Sequence, residues 1–181
     1  MKRVVVPLAR GFEEIEAVVV IDILRRADLD VRVAGVGGRT VTGAHGITVE
    51  CDGLIEDCGA GGTDAVVLPG GMPGTANLGG SEAVRALVAG VDEAGGVVAA
   101  ICAAPTVLDS LGLLEGKSAT SHPAHQQEMM RCNYSDDRVV VDGNVVTSRG
   151  AGTAVEFAAQ LVRMLTSPEN ANDILTRIVH F

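Results

Sequence analysis

The stretch Val97-Val98-Ala99-Ala100-Ile101-Cys102-Ala103-Ala104-Pro105-Thr106-Val107-Leu108 runs from an apolar segment through one cysteine into residues that Pro105 can start as a helix. A side chain at such a strand-to-helix turn stands at the carboxyl edge of a parallel sheet, where open α/β sheets place their ligands. A helix N-terminus carries roughly half a positive charge and unpaired N–H groups, so a thiol there is expected to have a lowered pKa and a larger thiolate fraction. Cys102 is therefore the candidate nucleophile. The competing explanation is a core cysteine that ends a hydrophobic strand.

Four other segments carry residues of the right types. Leu68-Pro69-Gly70-Gly71-Met72-Pro73-Gly74 closes another apolar run, and the missing side chains would let backbone N–H groups approach an oxyanion, although a tight turn explains the glycines too. Gly11-Phe12-Glu13-Glu14-Ile15-Glu16 brings three carboxylates together; one turned into a crevice would have a raised pKa, while an acid-rich helix start accounts for the same pattern. Thr120-Ser121-His122-Pro123-Ala124-His125 offers a histidine that could orient a thiolate or shuttle protons. His122 and His125 also hint at a metal, but no carboxylate or cysteine has suitable spacing to complete a site, so none is expected. In Thr147-Ser148-Arg149-Gly150-Ala151-Gly152-Thr153, Arg149 reads as a structural ion pair in preference to an anion-binding group.

The elements that must position these residues alternate. Arg3 to Leu8, Val31 to Val36, Ala65 to Leu68, Val97 to Ile101 and Val145 to Thr147 read as buried strands, with a short one at Ser118 to Thr120. Helical patterns lie between them, which predicts an α/β fold on a parallel sheet. Glu13 to Arg26 is β-branched at Val18, Val19, Val20 and Ile21, yet acids open it and Arg25 and Arg26 close it, as a helix dipole favours. Read as a helix, it is apolar nearly all round and implies burial on more than one side, a subunit interface included. Asp22 within it must lie at a polar edge or be paired. Ala154, Phe157, Ala158, Leu161, Val162 and Leu165 predict a helix that Thr153 and Glu156 cap as a box. Ser167-Pro168 starts a tail helix over about 168–180, with Ala171, Ile174, Leu175 and Ile178 on one side.

With 181 residues, 47% hydrophobic, the chain is expected to form one domain over 1–181 whose core needs no disulfide or metal. No linker, repeat or low-complexity tract divides it, and Gly59 to Thr63 is a small glycine-rich loop. The apolar run around Ala17 to Leu24 is far short of the roughly 20 residues of a bilayer span, and the opening MKRVVVPLARGFEE lacks a signal peptide's apolar centre. Fourteen basic residues against 23 acidic ones give a net charge of -9, which disfavours nucleic acid and anionic membranes as partners. Cys51, Cys58, Cys102 and Cys132 show no C-x-x-C spacing and are read as thiols of a cytoplasmic protein.

Taken together, GFEEIEAV at 11–18, VVLPGG at 66–71, AAICAAPTVL at 99–108, SHP at 121–123 and VTSRGAGTAVEFA at 146–158 resemble the ThiJ/PfpI superfamily, most closely the branch of the parkinsonism-associated protein deglycase and the bacterial ThiJ-type proteins. The resemblance covers nearly the whole chain. It implies a flavodoxin-like, class I glutamine amidotransferase-like three-layer sandwich with a mostly parallel sheet, and a homodimer. It further implies a reactive Cys102, a protonated Glu16 hydrogen-bonded to it, a nearby His122, and backbone donors at Gly70, Gly71 and Ala103. Proteases and amidotransferases of the superfamily carry a histidine directly after the nucleophile, whereas Ala103 stands there in this chain, which counts against a peptidase or amidase. Cys51, in ITVECDG, is similar to a second cysteine near the dimer interface of the human relative and is given no catalytic role.

Two functions fit. In one, a Cys102 thiolate attacks the aldehyde carbon of methylglyoxal or glyoxal, and Glu16 moves the proton as an enediol becomes a hydroxy acid, with no cofactor. The same chemistry on freshly glycated protein is a deglycase. In the other, Cys102 oxidises to sulfinic acid under peroxide, Glu16 donates a hydrogen bond to the product, and the protein is a redox sensor or redox-regulated chaperone. A thiol hydrolase with His122 as base is a third, weaker reading.

Overall fold

The computed structural model describes residues 1–180. The six strands expected from the apolar pattern form, within the order β1 (Arg3–Leu8), α1 (Glu14–Arg26), β2 (Asp30–Gly35), β3 (Thr40–Thr42), β4 (Thr48–Glu50), β5 (Gly53–Leu54), β6 (Ala65–Leu68), α2 (Gly74–Gly80), α3 (Glu82–Glu93), β7 (Val97–Ile101), α4 (Pro105–Ser110), β8 (Ser118–Ala119), β9 (Asn133–Tyr134), β10 (Val139–Asp142), β11 (Val145–Ser148), α5 (Ala154–Leu165) and α6 (Pro168–Arg177). The strands β3, β4, β5, β9 and β10 join them without being expected from that pattern. The main sheet has seven strands in the order β10-β11-β7-β6-β1-β2-β5. Every pairing in it is parallel except β10 with β11, which closes one edge as a hairpin.

Side-chain alternation along the central strands feeds two cores, one on each face. Val4, Val6 and Leu8 of β1 join Ala99 and Ile101 of β7 under α1, α5 and α6. Val5 joins Val98 and Ala100 on the other face, under α2, α3 and α4. Helices on both faces of a mostly parallel sheet make the three-layer flavodoxin-like sandwich. Each fully buried aliphatic side chain, such as Leu161, contributes about 1.5–3 kcal/mol.

The β-branched run of α1 is helical because one stripe, Ala17, Val20, Ile23 and Leu24, packs on the sheet and on α5, overriding its strand propensity. Ile15 and Val18 on another stripe are exposed, and Asp22 is a surface residue paired with Arg26 over 2.7 Å. In the tail helix α6, Ala171 and Ile174 are buried in the same core as α5. The side chain of Asn170 reaches the Ala27 carbonyl beyond the end of α1, so this helix lies against the body. Phe181, with which the tail ends, lies outside the described residues.

The capping box read at Thr153 and Glu156 does not form. Thr153 Oγ1 donates to the Gly150 carbonyl and accepts the Gly150 N–H in a single turn of 3-10 helix, and it also meets Ser148 Oγ at 2.6 Å. Glu156 faces the other way and takes two hydrogen bonds from Arg138. Both side chains find partners outside α5, so neither caps its first turn.

Among the described residues, no helix is long and apolar enough to cross a membrane.

Candidate active site

Cys102 is the first residue after β7 and has a φ of 66°, the left-handed region that a non-glycine residue enters only when its surroundings hold it there. Its N–H donates to the Ser148 carbonyl of β11 at 2.9 Å, and its carbonyl accepts the His122 N–H at 2.8 Å. Held from both sides, the backbone turns sharply and sets the side chain at the carboxyl edge of the sheet. Ala103 and Ala104 continue the turn into α4.

The loops after β1, β6 and β11 reach the same edge because those strands run parallel to β7. A cavity of about 590 Å³ opens there, lined among others by Glu13, Glu16, Cys102, His122, Arg138 and Arg149. The structure thus brings Cys102, Glu16 and His122 together. Arg149 makes the structural pair, reaching Asp136 through its backbone carbonyl at 2.7 Å and its carboxylate at 3.2 Å, yet it also lines the cavity.

The three glutamates of the acidic cluster meet three different environments. Glu13 is partly exposed on the cavity wall. Glu14 is buried beneath the β3–β4 hairpin, where its Oε1 accepts the His45 N–H at 2.7 Å and the Ile47 N–H at 3.3 Å, and its Oε2 accepts from His45 Nδ1 at 2.9 Å. Burial raises its pKa, but these hydrogen bonds to the charged form outweigh it and hold the carboxyl at about 2. Glu16 is fully buried, and burial pushes its pKa up to about 7 against the opposing hydrogen bonds from the Gly70 N–H and Cys102.

Gly70 lies against both reacting groups. A Cβ there would sit 2.6 Å from Cys102 Cβ, 2.7 Å from Glu16 Oε2 and 2.9 Å from the Ile101 carbonyl oxygen. Its N–H donates to Glu16 Oε2 at 2.8 Å. Of the three backbone donors expected around the thiol, this one therefore serves the carboxyl, while those of Gly71 and Ala103 act on the sulfur by lowering its pKa.

The thiol itself departs from the sequence expectation. Burial first, and then the charge on Glu16, push Cys102 up to about 12, and the two backbone donors oppose this without overcoming it. The six-residue helix behind the turn does not offset the loss of water from a half-buried sulfur. Transfer of the proton to Glu16 changes the balance, because the neighbouring charge disappears and an O–H donor replaces it. The two groups therefore titrate as a pair.

His122 is exposed at the mouth of the cavity, and its Nδ1 accepts the Ala124 N–H at 3.2 Å. The neutral ring then carries its proton on Nε2 and is a donor on that side, which disfavours it as a base toward Cys102. His122 and His125 do not form a ligand set. Among the described residues the three-residue set whose ligand atoms all lie within 4.8 Å of one another is Glu13, Glu14 and His45, and Glu14 in it is already satisfied by the hairpin. Sequence reasoning missed His45 and Arg138, since neither carries a local signal: His45 lies 31 residues from Glu14, and Arg138 sits 18 from Glu156.

Comparison with known proteins matches residues 2–164 to the model of the DJ-1/PfpI family. The chain is 42% identical over 177 residues to Protein dj-1beta of Drosophila melanogaster, covering 96% of this chain and 94% of that one. It is 36% identical over 165 residues to a Caenorhabditis elegans protein named glutathione-independent glyoxalase DJR-1.2, covering 90% and 88%. The solved structure of oxidized Toxoplasma gondii DJ-1 superposes with a TM-score of 0.96 at 36% identity, covering 99% of each chain.

Proposed function

The chain belongs to the DJ-1/PfpI family, and from that premise we propose that it is a cofactor-free glyoxalase and protein deglycase, acting in the cytoplasm on methylglyoxal-type dicarbonyls or their early adducts on proteins. The observation that carries this reading is a fully buried carboxyl, Glu16, whose pKa burial raises toward neutrality, in one cavity with a cysteine at a strained strand-to-helix turn. The name of the worm relative supports it.

In the proposed reaction the Cys102 proton passes to Glu16 as the sulfur adds to the aldehyde carbon. The carbonyl oxygen becomes an alkoxide near the Gly71 and Ala103 N–H groups and takes the proton back from Glu16, giving a hemithioacetal and an ionised Glu16. Ionised Glu16 then takes the proton from the former aldehyde carbon, the hemithioacetal hydroxyl proton passes to the ketone oxygen through the enediolate, and Glu16 returns its proton at the neighbouring carbon to leave a lactoyl thioester on Cys102. Water hydrolyses the thioester and restores the thiol, so methylglyoxal plus water gives lactate with no net oxidation. A general base of pKa about 7 is matched to this two-way traffic at neutral pH. His122 completes the mouth of the site as a hydrogen-bond donor.

The test is conversion of methylglyoxal to lactate without glutathione, by wild type and Cys102→Ser. Turnover near the roughly 1–1,000 per second typical of enzymes, absent from the serine variant, is the expected result. Turnover orders of magnitude slower, with a clean gain of two oxygens on Cys102 under mild peroxide, would overturn it in favour of a redox sensor or redox-regulated chaperone. One feature favours that second reading: Glu16 Oε1 is buried with no hydrogen-bond partner, so its proton would be free for an oxidised sulfur.

We also infer a homodimer through the exposed stripe of α1. Ile15 and Val18, with Ile47 on the neighbouring hairpin, leave apolar side chains about half exposed on one side of the molecule. Sedimentation of wild type against Val18→Glu measures it, and a monomeric wild type would remove the inference.

A further inference from the structure

His122 and His125 pack edge to face, with ring centroids 6.3 Å apart and 66° between planes. His122 lines the cavity at Cys102, and His125 lines a second cavity of about 490 Å³ on the other side of the pair. Met72, one residue beyond Gly71 in the loop that follows β6, forms part of the second wall.

Asp109 of α4 lines this second cavity and is only 5% exposed. Its Oδ1 accepts the Arg131 N–H at 3.1 Å, and its other oxygen has no partner among the described residues. That oxygen is not sealed from solvent, in contrast to Thr75 Oγ1, a second unpartnered polar atom in the wall. A carboxylate this deeply buried calls for a positive partner. The cations nearby do not supply one: His125 pairs with Glu128 at 2.7 Å, and the Arg131 guanidinium makes no ion pair among the described residues. Met72 and Met130 on the rim are exposed, unbranched and adaptable, well suited to an apolar stem of variable path. The matching group is a long apolar chain ending in a cation. With one oxygen open, a compact ammonium fits better than the two-pronged guanidinium of arginine.

We propose that the second cavity is a subsite for a lysine side chain of a polypeptide, held there while a neighbouring residue of the same polypeptide reaches Cys102. This rests on the reading that the enzyme acts on adducts carried by proteins. An extended chain advances about 3.3–3.6 Å per residue, so a lysine two or three positions from the reacting residue spans the His122–His125 pair.

The experiment uses fluorescein-labelled hexapeptides, uncharged except at one position, carrying lysine, norleucine or glutamate there, titrated into the intact protein and read by anisotropy. The lysine peptide is expected to bind about tenfold tighter than the norleucine peptide, with glutamate weakest. Asp109→Asn, which keeps the acceptor for Arg131, is expected to bring the lysine-to-norleucine ratio to one. Ala76→Trp, which fills the cavity from an exposed position on α2 and leaves Asp109 in place, should do the same and guards against misfolding of the first variant. Equal affinity for lysine and norleucine, or a preference unchanged in both variants, overturns the subsite. Displacement of the peptide by Nα-acetyllysine amide at a concentration near the peptide's own Kd would assign the cavity to small cations and overturn the polypeptide reading. Methylglyoxal turnover by the same preparations separates the two proposals: turnover without lysine preference removes the subsite alone, and lysine preference without turnover removes the glyoxalase alone.

Discussion

The Gly70 N–H donates to Glu16 Oε2 over 2.8 Å, while Glu16 Oε1 is buried with no hydrogen-bond partner. One carboxyl oxygen is thereby fixed, and the other is left without a hydrogen bond in the cavity that Cys102 also lines.

Replacing that carboxyl by an amide keeps the hydrogen bond from Gly70 and a donor toward sulfur but removes the base. Glu16→Gln is expected to lower methylglyoxal turnover by about 10²–10⁴, the usual contribution of a positioned general base. Alkylation of Cys102 by iodoacetamide, followed by mass spectrometry, should persist in the same variant. Turnover at the wild-type rate would mean that Glu16 is not the base.

The raised pKa of Glu16 also has a signature in stability. Between about pH 4.5, its ordinary value, and about 7, the unfolded chain has ionised this carboxyl while the folded chain still holds the proton. The unfolded state binds fewer protons there, so stability falls as pH rises through the window, by roughly 3 kcal/mol in all, and is flat in this respect above it. Urea unfolding at pH 5 and pH 8 should show the loss in wild type and not in Glu16→Gln.

Gly70→Ala places a methyl group against Cys102, Glu16 and the Ile101 carbonyl at distances that no neighbour here can relieve cheaply. A loss of about 2 kcal/mol is expected from overpacking, or roughly 5 °C in Tm for a chain of this size. Turnover should fall further than stability, since the shift moves the two reacting groups apart. Differential scanning calorimetry beside the lactate assay would measure both.

Glu14 ties the β3–β4 hairpin to the start of α1. Its carboxyl is held down at about 2, so the stability it contributes is present above its ordinary value of 4.5 and is lost as pH falls toward 2. Glu14→Gln removes the charge from three hydrogen bonds. About 2 kcal/mol of local stability should go with it, which accelerates amide exchange at His45 and Ile47 by roughly 30-fold.

The central strands and the helices α1, α4, α5 and α6 were legible because their signals are local, whereas the short strands β3, β4, β5 and β9 and the edge strand β10 were not. Val4 to Leu8, Ala65 to Leu68 and Val97 to Ile101 are continuous apolar runs of strand length, and the stripe from Ala154 to Leu165 repeats at helical spacing. The nucleophile turn was legible for the same reason, since a buried strand, one cysteine and a proline three residues on specify a sharp turn by themselves. The capping box failed because Thr153 and Glu156 had better partners in Gly150, Ser148 and Arg138, and partners distant in sequence leave no mark on a local pattern.

The sequence by itself determined the order of elements, the parallel sheet and therefore the edge on which Cys102, Glu16 and the glycine loop must meet. Only the tertiary structure decided what each group does there. Glu13, Glu14 and Glu16 are adjacent and alike in sequence, yet one lines a cavity, one is held ionised by a hairpin and one is pushed toward neutrality by burial. The difference lies in how much water and how many donors surround each carboxyl. Those are properties of residues brought from 30 or more positions away, such as His45 and Gly70, and the sequence near the glutamates does not encode them.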